Sequence, residues 1–117
     1  MHLCSLPLKI LKASHNRLTS VPSEIGLLSK MQHLDLCSNE IAMLPTTMGE
    51  LCSLRSLNVR RNQLVELPDE LSKLKNLIQF DFSCNRISTI PPAFRLITSL
   101  IQLELSSNPL SSPPAQV

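Results

Sequence analysis

An asparagine recurs every 23 residues along this chain, at Asn16, Asn39, Asn62, Asn85 and Asn108. Around each one the frame is apolar-x-x-apolar-x-apolar-x-x-Asn-x-apolar. The copies read LKILKASHNRL from Leu8, MQHLDLCSNEI from Met31, LRSLNVRRNQL from Leu54, LIQFDFSCNRI from Leu77 and LIQLELSSNPL from Leu100. A unit this short cannot bury its own apolar side, so copies must stack and share one drawn-out core. The spacing therefore decides how every other residue is read. Equivalent residues stand in columns, and a side chain gains meaning from its column.

The period divides the chain into full repeats 8–30, 31–53, 54–76 and 77–99, with a partial repeat at 100–117. Residues 1–7 read as the end of a preceding repeat, with Leu3 and Leu6 where later copies have Leu71 and Leu74. Within each copy, Leu11/Ala13, Leu34/Leu36, Leu57/Val59, Phe80/Phe82 and Leu103/Leu105 alternate with polar residues. That alternation predicts a short strand with one side inward. Because every copy runs the same way, the strands form a parallel sheet, spaced at about 4.8 Å. The asparagine closes the turn after the strand, with both donors and acceptors to satisfy backbone groups of its own and the next turn. Then come Val21-Pro22, Leu44-Pro45, Leu67-Pro68 and Ile90-Pro91. Proline fixes φ and lacks a donor, which suits an irregular segment. Apolar residues three apart follow, as in Ile25/Leu28, Met48/Leu51, Leu71/Leu74 and Phe94/Ile97. That spacing predicts a 3-10 or helical turn on the outer side. The fold class is an α/β solenoid of the leucine-rich repeat type, strands concave and turns convex. No polar cap is recognisable at either end, so the chain reads as a stretch of a longer array.

Composition removes several classes of function. Net charge is +2 over 117 residues, and no basic run exceeds Arg60-Arg61. A nucleic-acid binder would show a larger footprint. No stretch is long and apolar enough for a membrane span. The opening MHLCSLPLKIL lacks a basic region before its apolar part and is broken by Lys9 and Lys12, so it does not read as a secretory signal. The cysteines Cys4, Cys37, Cys52 and Cys84 form no C-x-x-C pair, and no Asn-x-Ser/Thr acceptor occurs. Both features point to a reducing, cytoplasmic setting.

Catalytic signatures are missing too. With two glycines there is no phosphate loop, and neither a nucleophile elbow nor HExxH is present. Asp35 and Asp81 stand two repeats apart, about 10 Å by strand spacing. His15, His33, Cys37 and Cys84 occupy different columns, whereas zinc needs ligands converging on one point. The expectation is no enzyme, no cofactor and no metal.

What remains is a surface. The concave columns run Ile10, His33, Ser56, Gln79, Gln102, then Lys12, Asp35, Asn58, Asp81, Glu104, then Ser14, Cys37, Arg60, Ser83, Ser106. Arg61 with Arg86 and Arg17 gives a basic edge, Asp35, Asp81 and Glu104 an acidic column, and Arg60, Arg61 and Arg86 suit the carboxylates or phosphates of a partner's acidic segment. The candidate partner-binding set is Asp35, Asn58, Arg60, Arg61, Asp81, Ser83 and Arg86. Gln79, Asp81, Ser83, Cys84 and Arg86 read as free of any demand from the fold, with Ser83 and Cys84 on an exposed turn.

LCSLPLKIL at 3–11, LRSLNVRRNQLVELPDEL at 54–71, DFSCNRI at 81–87 and NPLSSPPAQV at 108–117 resemble the leucine-rich-repeat and calponin-homology-domain protein family. The L-P-x-x-I/L-x-x-L phrase is similar to the intracellular, Ras-suppressor-like class of repeat. The resemblance implies a cytoplasmic scaffold at the cell cortex, associated with septins, actin and exchange factors of Rho-type GTPases. A calponin-homology domain is absent from these residues. Two other readings stay open: a regulatory subunit holding a small GTPase or phosphatase, and a structural segment with no binding of its own.

Overall fold

The computed structural model describes residues 8–110. The expected preceding-repeat remnant at 1–7 and the chain end at 111–117 lie outside the described residues. Five three-residue strands, β1 (Ile10–Lys12), β2 (His33–Asp35), β3 (Ser56–Asn58), β4 (Gln79–Asp81) and β5 (Gln102–Glu104), form one sheet in sequence order. All neighbours pair in parallel with no slip, Leu11 opposite Leu34, Leu34 opposite Leu57, Leu57 opposite Phe80 and Phe80 opposite Leu103. The constant period explains the register, because equal repeats place equal residues side by side.

Each strand is centred on the first apolar residue of the alternating pair and ends before the second. Ala13, Leu36, Val59 and Phe82 still donate their N–H groups across to Asp35, Asn58, Asp81 and Glu104 at 2.8–2.9 Å. Two residues later the ladder resumes, as Ser38 N–H donates to the Arg60 carbonyl at 2.8 Å and Arg61 N–H to that of Ser83 at 3.0 Å. The short strands thus sit in a longer inter-repeat ladder.

The chain returns through 3-10 turns at Ser23–Leu27, Thr46–Glu50, Asp69–Lys73 and Pro92–Leu96. Each follows a proline in extended conformation, Pro22, Pro45, Pro68 or Pro91. The proline carbonyl accepts the first i to i+3 bond, from Ile25, Met48, Leu71 or Phe94, at 3.0–3.2 Å. Among the described residues the outer side holds 3-10 turns and no α-helix. Apolar residues three apart suit a turn of three residues, so they point together to the inside.

The core lies between sheet and turns. Leu34, Leu57, Phe80 and Met48, Leu71, Phe94 are buried from opposite sides, with Met31, Leu54 and Leu77 between. Around β4 the aliphatic column gives way to rings: Phe80 lies 5.1 Å from Phe82 and 6.2 Å from Phe94, both tilted. Such tilted pairs add to the apolar burial. Gly26 and Gly49 occupy one column on the outer side. A Cβ on Gly26 would meet the Thr47 carbonyl oxygen at 2.6 Å, and one on Gly49 would meet that of Glu70. Here glycine permits backbone contact between turns.

Candidate functional site

The concave face rises from the sheet's register. Lys12, Asp35, Asn58, Asp81 and Glu104 form one continuous row, and Ile10, His33, Ser56, Gln79 and Gln102 another. The first row is partly committed to the backbone. Asp35 Oδ1 accepts the Cys37 N–H at 3.1 Å, Asn58 Oδ1 that of Arg60 at 3.0 Å, and Asp81 Oδ1 that of Ser83 at 3.0 Å. These are Asx turns, the short side chain folding back two residues along the chain. They coincide with the ends of β2, β3 and β4, although β1 and β5 stop at the same register position without one. Glu104 is one carbon longer and Lys12 has no acceptor, so the motif stays with the three central members.

Asp81 is therefore not free of the fold, and neither is Ser83. Ser83 is 1% exposed, and its hydroxyl donates to Asp81 Oδ1 at 2.6 Å. A serine short enough to fold onto its neighbour offers nothing to a partner, so Ser83 leaves the candidate set. Cys84 is half-buried rather than exposed. It also carries a backbone duty: His15, Ser38, Arg61, Cys84 and Ser107 all have φ of 58–59°. A left-handed residue precedes the asparagine in every described repeat, without a glycine among them. Sequence reading missed this column because its residue types share no property; the period alone could have located it.

The asparagines then lock the turn. Asn62 Nδ2 donates to the Val59 carbonyl at 2.9 Å, to that of Leu36 at 3.0 Å and to that of Arg60 at 3.3 Å. Its Oδ1 accepts the Ile41 N–H at 3.1 Å. Asn39 repeats the arrangement one repeat earlier, and Asn85 and Asn108 one and two repeats later. The link runs to the preceding repeat, not the next one. Asn16 is exposed and bonds to its own repeat, at the carbonyls of Ala13 and Ser14. Sequence reading identified the side chain and its chemistry but not its direction.

Arg60, Arg61 and Arg86 are exposed on the side where the strands end. Arg60 follows Asn58 by two, and Arg61 lies one repeat from Arg86. The row below them holds the second carboxylate oxygens of Asp35 and Asp81, half-buried, and the exposed Glu104. Two shallow concavities cover the sheet, one over Lys12, His33 and Asp35, the other over Gln79, Gln102, Asp81 and Glu104. The Gln79 amide donates to Gln102 across the repeats at 2.5 Å. A face of this kind, shallow, polar and of mixed sign, can hold an extended protein surface. It offers no enclosed chamber that would desolvate a reacting group.

Cys37 sits in this face, half-buried beside Asp35. Burial, then the hydrogen bond to the Asp35 carboxylate and its charge, push the thiol above its ordinary value. It is therefore a poor nucleophile at neutral pH. Cys37, Cys52 and Cys84 are all unpaired thiols. Among the described residues no group of three or more His, Cys, Asp or Glu side chains converges as metal ligands. No described helix is long and apolar enough to cross a membrane.

The leucine-rich repeat family profile matches residues 7–64 and 52–110. The chain belongs to the leucine-rich repeat family. A leucine-rich repeat protein of Leptospira interrogans superposes with a TM-score of 0.85 at 35% identity, covering 91% of this chain and 26% of that one. An internalin of Listeria monocytogenes superposes with a TM-score of 0.80 at 25% identity, over 91% of this chain and 30% of that one. Among curated proteins, mouse DISP complex protein LRCH3 is 57% identical over 35 residues, 30% of this chain and 4% of that protein. Human leucine-rich repeat and calponin homology domain-containing protein 1 is 56% identical over 34 residues, 29% of this chain and 5% of that protein. This leucine-rich repeat chain thus spans a small part of the relatives it matches.

Proposed function

We propose that the chain is a protein-interaction module that binds a protein partner through its concave face, with Arg60, Arg61 and Arg86 as the principal contacts. The observation that carries this reading is the exposure of all three guanidinium-bearing residues where the strands end, while their neighbours Asn58, Asp81 and Ser83 are held by hydrogen bonds. The fold uses the backbone of these residues and leaves their side chains exposed. Their rigid donor forks match carboxylates, so the partner presents an acidic segment. Asp35, Asn58 and Asp81 hold the backbone beneath and leave the Asp35 and Asp81 carboxylates to discriminate against acidic groups placed too deep.

The high local identity to the LRCH proteins supports a finer reading. The chain acts in a cytoplasmic scaffold at the cell cortex, connected with cytoskeletal proteins and regulators of Rho-type GTPases. The test uses immobilised chain and its R60E/R61E variant in cytosolic extract, with the captured proteins identified by mass spectrometry. Septins, actin or Rho exchange factors retained by the parent and lost by the variant support the reading. Retention of a small GTPase or phosphatase alone moves it to a regulatory subunit. Capture unaffected by the variant removes the concave rim from the function.

A further inference from the structure

The outer flank of the second and third repeats carries residues that neither the stack nor the concave rim uses. Met43 shares its column with Ser20, Glu66 and Thr89, all exposed and polar. Met43 is itself 63% exposed. A large apolar side chain in a solvent column does nothing for the core. It borders a groove of about 280 Å³ whose lining includes Leu44, Leu67 and Pro68. Glu66, Asp69 and Glu70 line the same groove. None of these acids is required by the repeat either: the columns of Asp69 and Glu70 hold Thr46 and Thr47 one repeat earlier and Pro92 and Ala93 one repeat later. The groove is also held rigidly, since Gly49 lets the backbone of Glu70 come into direct contact with the preceding turn.

A groove lined by both apolar side chains and carboxylates sets the chemistry of what fills it. An acidic or neutral apolar segment would leave three carboxylates facing like charge or losing water. A segment with cations at its margins and an apolar residue at its centre matches both. Methionine suits such a site because its flexible, polarisable chain adapts to different side chains. The sign is opposite to that of the Arg60–Arg61–Arg86 rim, so the two surfaces select different partners.

We propose that this groove is a second docking surface, taking from a protein partner an extended segment in which lysine or arginine side chains flank an apolar one. It stands apart from the concave-face reading and would let one short array join two proteins. The test titrates isotope-labelled full chain with a synthetic peptide having a Lys-Leu-Lys centre, followed by backbone amide shifts. Expected are shifts at Met43, Leu44, Thr46, Glu66, Leu67, Asp69 and Glu70. The E66K/D69K pair should weaken binding about tenfold, as the loss of two exposed charge contacts implies, and M43S severalfold. R60E/R61E should leave it unchanged, which separates this surface from the concave one. The proposal is overturned by no shift at millimolar peptide, by equal binding of a Lys-Ser-Lys control, or by shifts centred on Asp81 and Glu104. Concentration-dependent self-association of the free chain, abolished by E66K/D69K, would instead assign the groove to a second copy. All substituted residues are surface residues, and the shift map needs no variant.

Discussion

Asn62 concentrates four hydrogen bonds in one buried side chain, three donated and one accepted. Removing it leaves the buried Ile41 amide without its acceptor and takes from the Leu36, Val59 and Arg60 carbonyls one of the donors each has, the others being Asn39, Asn85 and the Ser38 amide. Such an orphan costs about 1–3 kcal/mol. Asn62→Ala should therefore destabilise the array by about 3 kcal/mol, measured by chemical denaturation, whereas Asn16→Ala, at an exposed site with bonds only to its own repeat, should cost under about 1 kcal/mol. Equal losses would refute the inter-repeat role. Arg61 tests the backbone column: Val at its φ of 58° should cost about 1–2 kcal/mol, because a β-branched side chain fits the left-handed region poorly. Asn there should be nearly neutral. At Cys37 the thiol is raised by burial and by Asp35. Its protonated form is favoured by the fold, so this contribution is complete below the ordinary thiol value and is lost as pH rises through the higher folded one. Asp35→Asn keeps the Asx acceptor and removes the charge. Alkylation of Cys37 at fixed pH should then speed up; an unchanged rate would leave burial as the sole cause.

At the scale of the element, the sequence was informative where a pattern serves the stack and silent where it serves the chain's own geometry. The alternation Phe80/Phe82 located β4, and the proline-led spacing Leu71/Leu74 located a 3-10 turn. Strand ends were harder to read. Asp81 looked like a surface charge because its column mixes Lys12 with Glu104, yet its carboxylate folds back onto the Ser83 amide in an Asx turn at the end of β4. Ser83 looked exposed because alternation places it outward, but hydrogen bonding to Asp81 overrides alternation for so small a side chain. Arg60 and Arg61 stood out in the sequence because long cations occupy columns of mostly short residues, whereas Arg86 shares its column with Arg17, Glu40 and Gln63. The Met43 groove was not legible, because its walls come from two repeats. The outer turns yield a prediction of their own. Gly49→Ala would drive a methyl group into the Glu70 backbone. Overpacking of this kind costs about 1–3 kcal/mol. Ala at Ser72, the same column one repeat on, should be tolerated, and thermal melts of the two variants would distinguish local crowding from a general helix effect.

Over the whole molecule, stability runs along the stack instead of radiating from a centre. Each repeat bonds to its neighbours through the sheet, the asparagine and the outer side chains, as where Thr47 donates to the Ser23 carbonyl at 2.7 Å and Asn76 to that of Cys52 at 2.9 Å. Nothing ties the first described repeat directly to the last. Such arrays unfold by losing repeats in order, with neighbour interfaces setting the strength. The central interfaces are also the better filled ones: Leu57, Val59 and Leu64 are fully buried, while Leu11, Ala13, Leu103 and Leu105 are only partly covered. Opening should therefore spread from both sides toward the third repeat. Hydrogen exchange should find the Val59 and Leu64 amides, which donate to the Asp81 carbonyl and to Asn85 Oδ1, exchanging slowest. The Ala13 and Leu18 amides, bonded to Asp35 and Asn39, should exchange faster by about the free energy of one interface. Uniform protection across all four would show a single cooperative unit and contradict the stack-wise account. Under the stack-wise account, a partner held on Arg60, Arg61 and Arg86 rests on the slowest-opening repeats, and its binding should raise Val59 protection more than that of Ala13.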